Sequence, residues 1–170
     1  LVVIPHVSNI MGNVLEVKNI INEIKKKNKN TKVLIDGVAY IPHRLLDINE
    51  INPDYYVISF YKFCGLRISC LYLKDEELFN LDNINHKFFD KSDDINKKLE
   101  LGGMNHECAS SILGLKDYLI DVAKVFNYKD SRDNEKKLYF DRKLVKFVME
   151  KIYFYKKIFL NNFKNFIENI

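Results

Sequence analysis

Four polar side chains follow apolar runs in this chain: Asn9 after "LVVIPHV", Asp36 after "KVLI", and Ser59 and Lys62 around the end of "YYVISF". Open α/β sheets hold their ligands beyond the carboxyl ends of their strands, and all four residues fall there if the runs are strands. A carboxylate and a lysine converging on one planar ligand suit pyridoxal-phosphate chemistry. The lysine amine forms a Schiff base with the aldehyde, and the carboxylate keeps the pyridine nitrogen protonated so that the ring accepts electrons from a carbanion. Lys62 also poses a physical question, because an unpartnered ammonium at the tip of a buried strand is costly. Either the side chain reaches solvent or its amine is not an ordinary ammonium. Singly, each residue has a plainer reading: Asp36 before Gly37 as a turn residue, Ser59 as a strand-end hydroxyl, Lys62 as an exposed hairpin lysine.

The elements that must position these residues follow the grammar of a mostly parallel sheet. Leu1 to His6 reads as a buried strand. Helical spacing of Val14, Val17, Ile20, Ile21 and Ile24 predicts a helix from Met11 to about Lys27, with lysines closing its end. "KVLIDG" predicts a second strand, and "YYVISF" and "ISCLYLK" two more joined by a short turn around Gly65. Asp75 to Lys98 is rich in Asn and Asp and reads as a loop, as does Phe126 to Lys137. Between them Cys108 to Val125 predicts a helix, which His106 and Glu107 are placed to cap. Leu138 to Ile170 predicts one long aromatic-rich amphipathic helix or a broken pair.

Composition bounds the rest. With 170 residues and 47% hydrophobic content the chain can bury a core. Its 27 basic residues against 23 acidic give a net charge of +4, dispersed in short clusters such as Lys25 to Lys29, which argues against a nucleic-acid partner. No apolar run reaches the roughly 18 residues that a membrane helix needs, so no membrane span is expected. The terminal "KFVMEKIYFYKKIFLNNFKNF" also fits a basic helix for an acidic surface, but its aromatic spacing favours packing against the domain. Cys64, Cys70 and Cys108 form no CxxC pair; a reducing, cytoplasmic compartment is expected, with no metal site. The three thiols read as core or near-site groups. His6 reads as a hydrogen-bonded structural histidine.

Four blocks then carry a resemblance: "HVSNIMG" at His6 to Gly12, "LIDGVAYIPHRLLD" at Leu34 to Asp47, "DYYVISFYKFCG" at Asp54 to Gly65 and "KLELGGMNHE" at Lys98 to Glu107. In order and approximate spacing they resemble the class V aminotransferase family of fold type I, in its cysteine desulfurase-like branch. The resemblance covers roughly the first 120 residues. It implies part of a three-layer αβα large domain of α/β class, with a mixed, mainly parallel sheet. Residues 1–125 would be the central portion of that cofactor-binding domain, 126–137 a polar loop, and 138–170 a helix leading toward a small C-terminal domain.

By that resemblance the cofactor is pyridoxal 5'-phosphate and Lys62 is its Schiff-base lysine and proton shuttle. Asp36 is the pyridinium partner, Ser59 a phosphate-contacting hydroxyl, and Asn9 lies near the cofactor and the substrate carboxylate. Tyr61 stands where many relatives carry a histidine, and His43 where this branch carries one, with no assigned role. Asn105 belongs to a block that helps form the phosphate site of a neighbouring subunit, so a homodimer is implied. An amino-acid substrate, L-cysteine, and a sulfur acceptor protein follow from the branch. Selenocysteine lysis, epimerisation and amino transfer share the same lysine and aspartate and stay open. The departures are Ala39 for a glutamine or histidine that touches the cofactor, Gly103 for a phosphate-binding threonine, Leu66 for a proline and Ser69 for a glycine. They motivate the alternative of a degenerate member serving as a scaffold.

Overall fold

A computed structural model describes residues 1–84, 98–100, 102–129 and 138–168. Four strands form one sheet in the order β1 (Val2–Pro5), β2 (Val33–Asp36), β3 (Tyr55–Ser59) and β4 (Ser69–Leu73). The first three are parallel and β4 returns antiparallel to β3. Pro5 therefore pairs with Asp36, Asp36 with Val57, and Ser59 with Ser69, which brings three strand ends and the start of β4 to one edge.

Alternation assigns the two faces. Ile4, Val33, Ile35, Tyr56 and Ile58 turn toward α1 (Val17–Lys27), whose Val17 and Ile21 complete a buried core. Each large side chain buried in this way stabilises the fold by roughly 1.5–3 kcal/mol. Leu34, Asp36, Val57 and Ser59 turn to the other face, where Val3 and Leu71 remain exposed. The expectation of a buried first strand fails for that reason: β1 is the sheet edge, and its alternate residues are only half-buried.

The helix predicted from Met11 starts only at Val17. Gly12 has φ +71°, and Val7 and Val14 form an isolated bridge, so the apolar residues before Glu16 belong to a turn rather than to helical periodicity. A short α2 (Ile48–Ile51) is capped by the Asp47 carboxylate, which accepts from the Glu50 N–H. The polar stretch after β4 opens with α3 (Asp75–Asn80), a helix the loop reading missed; its first turn carries three acids, as the helix dipole favours. Residues 85–97 of that loop, residues 130–137 of the second and the last two residues of the chain lie outside the described residues.

A second core joins α4 (His106–Val125) to α5 (Arg142–Glu168). Leu115, Leu119 and Ala123 pack on Leu144 and Val148. Asn105, rather than His106 or Glu107, caps α4, its side chain accepting from the Cys108 N–H at 2.9 Å. The buried residues of α5, Leu144, Val148 and Met149, all lie in its first half, and Phe159 and Phe166 beyond them are more than half exposed.

Candidate active site

Asp36 ends β2, half-buried, with one carboxylate oxygen accepting from the Val38 N–H at 2.9 Å. The turn behind it is fixed on three sides. Its carbonyl accepts from the His6 N–H at 2.8 Å, the Gly37 N–H donates to the Val57 carbonyl at 2.9 Å, and the Gly37 carbonyl accepts from the Tyr40 and Ile41 N–H groups at 2.9 and 3.1 Å. Asp36 thus leaves the sheet on a rigid backbone with a carboxylate oxygen to spare.

Ser59 ends the neighbouring strand and opens a one-turn 3-10 helix, Phe60–Phe63. Residues three apart in such a turn share a side. Phe60 and Phe63 both pack into the α4–α5 core, which turns Tyr61 and Lys62 outward to solvent. Cys64 closes the turn in the left-handed region at φ 61°, and Gly65 follows where a Cβ would lie 2.8 Å from that of Phe60. The tight turn and its glycine follow from this crowding.

Lys62 is therefore not at the tip of a buried strand. It sits on a 3-10 turn, exposed, with no hydrogen bond or ion pair among the described residues; its amine lies 6.0 Å from the centre of the Tyr61 ring. Of the two answers to the lysine question, the first holds here: the side chain reaches solvent.

The remaining expected residues are placed less centrally. Asn9 is exposed in the turn after β1, and its side chain makes no hydrogen bond among the described residues. His43 is exposed beyond the Asp36 turn and is hydrogen-bonded through Nδ1 to the Lys156 ammonium of α5. Partial burial, then the charges of Lys156 and Arg44, lower its pKa and favour the neutral ring. The carboxyl end of the sheet thus carries Asp36 and Ser59 on adjacent strands, with Tyr61 and Lys62 exposed on the turn that follows Ser59, while Asn9 and His43 lie on the turns after β1 and β2. Asn105 spends its side chain on the α4 cap. Ala39 offers no polar side chain, and among the described residues nothing lies within 4 Å of a Cβ built on Gly103. Cys64 and Cys70 are exposed and Cys108 half-exposed, so none is a core thiol.

Three rings that the sequence reading did not connect stand behind Asp36. His6 is buried, hydrogen-bonded through Nδ1 to the Tyr56 hydroxyl at 2.8 Å, and stacked on Tyr40 with ring centres 3.6 Å apart and planes within 5°. Burial, reinforced by the Arg44 charge, lowers its pKa to about 4 and keeps it neutral. The structural reading of His6 stands. The one available signal for the cluster was Gly37, which tolerates no Cβ because Tyr56 fills that space.

The model of the class-V aminotransferase family matches residues 1–110. The chain belongs to that family. Its relatives include an aminotransferase-like protein, FGM3, of Gibberella zeae, 35% identical over 69% of this chain and 29% of its own length. The cysteine desulfurase-like protein ustD of Aspergillus flavus is 32% identical over 72% of this chain and 28% of its own. The chain thus spans less than a third of these relatives. Among solved structures, the apo cysteine desulfurase from Thermococcus onnurineus superposes with a TM-score of 0.55 at 18% identity, covering 85% of this chain and 41% of that one. CsdA from Escherichia coli does so with a TM-score of 0.52 at 18% identity, covering 75% and 38%. At that identity the likeness shows the fold: part of the mixed-sheet large domain of this pyridoxal-phosphate-dependent family, ending in a long helix.

The residues present fit that cofactor in kind. Among the described residues, a carboxylate with one oxygen unbonded at Asp36 and a hydroxyl that makes no cap hydrogen bond at Ser59 stand on adjacent strand ends, and the Lys62 amine, with no counter-ion, on the turn that follows.

Proposed function

We propose that this chain is the cofactor-lysine portion of a pyridoxal-phosphate enzyme of cysteine desulfurase type. The observation that carries the reading is the pairing register: Asp36 lies beside Val57, two residues before Ser59, so carboxylate, hydroxyl and the Lys62 turn share one sheet edge. Bound there, pyridoxal phosphate would supply an electron sink for the pair left at a substrate carbon when a proton departs. Asp36 would hold the proton on the ring nitrogen, its geometry set by the Val38 N–H. Ser59 would donate its hydroxyl to the phosphate. Lys62 would hold the cofactor through its amine and, once displaced by an amino-acid substrate, move protons at the substrate carbons. L-cysteine as substrate belongs to the same proposal and is supported by the relatives' names; a homodimer, from the resemblance of the Asn105 block, and a sulfur acceptor protein, from that of the branch, are proposed with it.

The test is borohydride reduction of the full-length protein supplied with pyridoxal phosphate, followed by peptide mass mapping. A pyridoxyl mass on Lys62 is expected. An unmodified Lys62 in folded protein would favour a second reading, a scaffold that has lost its cofactor, for which Ala39 and the open space at Gly103 speak. Turnover of cysteine would end that second reading.

A further inference from the structure

We propose that Tyr56 and His6 are positioning residues that fix the Asp36 carboxylate through Gly37; the inference rests on the cofactor reading above. Three segments meet behind Asp36. Tyr56 from β3 lies so close over Gly37 that any Cβ there would overlap its ring and hydroxyl. The hydroxyl is held by His6, which follows β1, and the His6 ring is clamped by Tyr40 from the far end of the turn. The His6 backbone, in turn, donates to the Asp36 carbonyl. Ring and backbone contacts of one residue, His6, therefore grip the turn from both sides.

The Tyr56–His6 hydrogen bond is what locks the ring over Gly37. It lies on the core side of the sheet and Asp36 on the other, so neither His6 nor Tyr56 needs to touch a ligand in order to set where the carboxylate points. If the lock is lost, Tyr56 and the Gly37 peptide gain freedom, and the carboxylate loses its fixed orientation toward a ring nitrogen.

A purely structural role for the pair makes a different prediction, and a double-mutant cycle separates the two. The readout is the dissociation constant for pyridoxal phosphate, from absorbance titration of the full-length protein stripped of cofactor, in wild type, Tyr56→Phe, Asp36→Asn and the double variant. Tyr56→Phe keeps the ring and deletes only the hydroxyl. Losing one buried hydrogen bond is expected to weaken cofactor binding by roughly tenfold when Asp36 is present. In the Asp36→Asn background the same change is expected to cost less than about twofold, because the carboxylate that it positions is gone. Equal factors in the two backgrounds, or no change in either, would overturn the proposal. Should Tyr56→Phe fail to fold, His6→Phe breaks the same bond from the other partner while keeping a ring to stack on Tyr40, and the same two factors decide. Wild-type protein that binds no pyridoxal phosphate overturns the functional reading and this inference together. Normal loading with an additive cycle overturns this inference alone.

Discussion

The two ends of the sheet handle charge in opposite ways. At the amino end Asp54 and Glu77 are buried, and every partner they need lies inside the fold. Asp54 accepts from the Val33 N–H at 2.7 Å and from Lys25 at 2.9 Å, with Lys74 at 3.9 Å. Glu77 accepts from Lys32 and from the Tyr55 hydroxyl at 2.8 Å. At the carboxyl end Asp36 has one backbone partner, Ser59 makes no cap bond and Lys62 stands in solvent. The same residue types are saturated where they hold strands together and left open where a ligand would complete them. A carboxylate and a lysine that form no pair with each other are poor stabilisers, which suits a site and not a staple.

The contrast is broken most sharply by deleting one charge from each end. Asp54→Ala strands the buried Val33 N–H and leaves Lys25 without its partner. The expected cost is about 3–5 kcal/mol, read as a lowered midpoint in denaturant unfolding. Lys62→Ala should leave that midpoint where it is and abolish the reducible pyridoxyl adduct entirely. If both variants lost stability alike, the division into a structural and a functional end would fail.

Acid should separate the two ends by pH. His6 behind the site has its pKa lowered from 6.5 to about 4. Its stabilising contribution is therefore present above pH 6.5 and is lost as pH falls toward 4, on the order of 3 kcal/mol in all. Tyr40 and Tyr56, whose pKa values are raised, face it and do not titrate in that window, and the nearby Arg44 charge adds to the lowering at His6. At the other end burial alone would raise the carboxyl pKa values. The Lys25 and Val33 hydrogen bonds to Asp54, and those of Lys32 and Tyr55 to Glu77, outweigh it, so both are lowered. Their contribution is present above the ordinary carboxylate values of 3.8 and 4.5 and is lost only below them. Unfolding midpoints measured from pH 8 to 3 should thus fall in two stages. His6→Phe should flatten the upper stage and Asp54→Asn the lower; a single stage, or the reverse assignment, would refute the division.

The carboxyl end was far more legible in sequence than the amino end. Asp36 and Ser59 each close an apolar run and Lys62 follows one, so a linear reading finds two strand ends and the turn after the second. Asp54 and Glu77 find their partners 21 to 45 residues away, at Lys25, Val33 and Lys32, and no local pattern encodes such pairs. His6 and Tyr56 are separated by 50 residues for the same reason. The late start of α1 shows the limit of periodicity: Met11 and Val14 fit a helical stripe, but the positive φ of Gly12 and the Val7–Val14 bridge make the segment a turn. The sequence left the exposure of Lys62 open between two answers, because only the packing of Phe60 and Phe63 reveals which way a 3-10 turn faces.

The smallest expected effect concerns what links the second core to the site. From its first residue, α5 reaches the loop beyond Asp36: Arg142 donates to the Leu46 carbonyl at 3.1 Å and to the Asp47 carboxylate at 2.9 Å. Further along the helix, the Arg44 guanidinium lies 5.7 Å from the Tyr153 ring centre and Lys156 meets His43. The Arg142–Asp47 pair is more than 40% exposed on both sides, so Arg142→Ala should lower stability by only about 0.5 kcal/mol, and by less in 1 M salt. Because Phe60 and Phe63 already anchor the Lys62 turn to the helices, the adduct at Lys62 should survive this change. A loss of the adduct in Arg142→Ala, with stability intact, would mean that the loop contacts of α5 and not the phenylalanine anchors set the geometry of the open end.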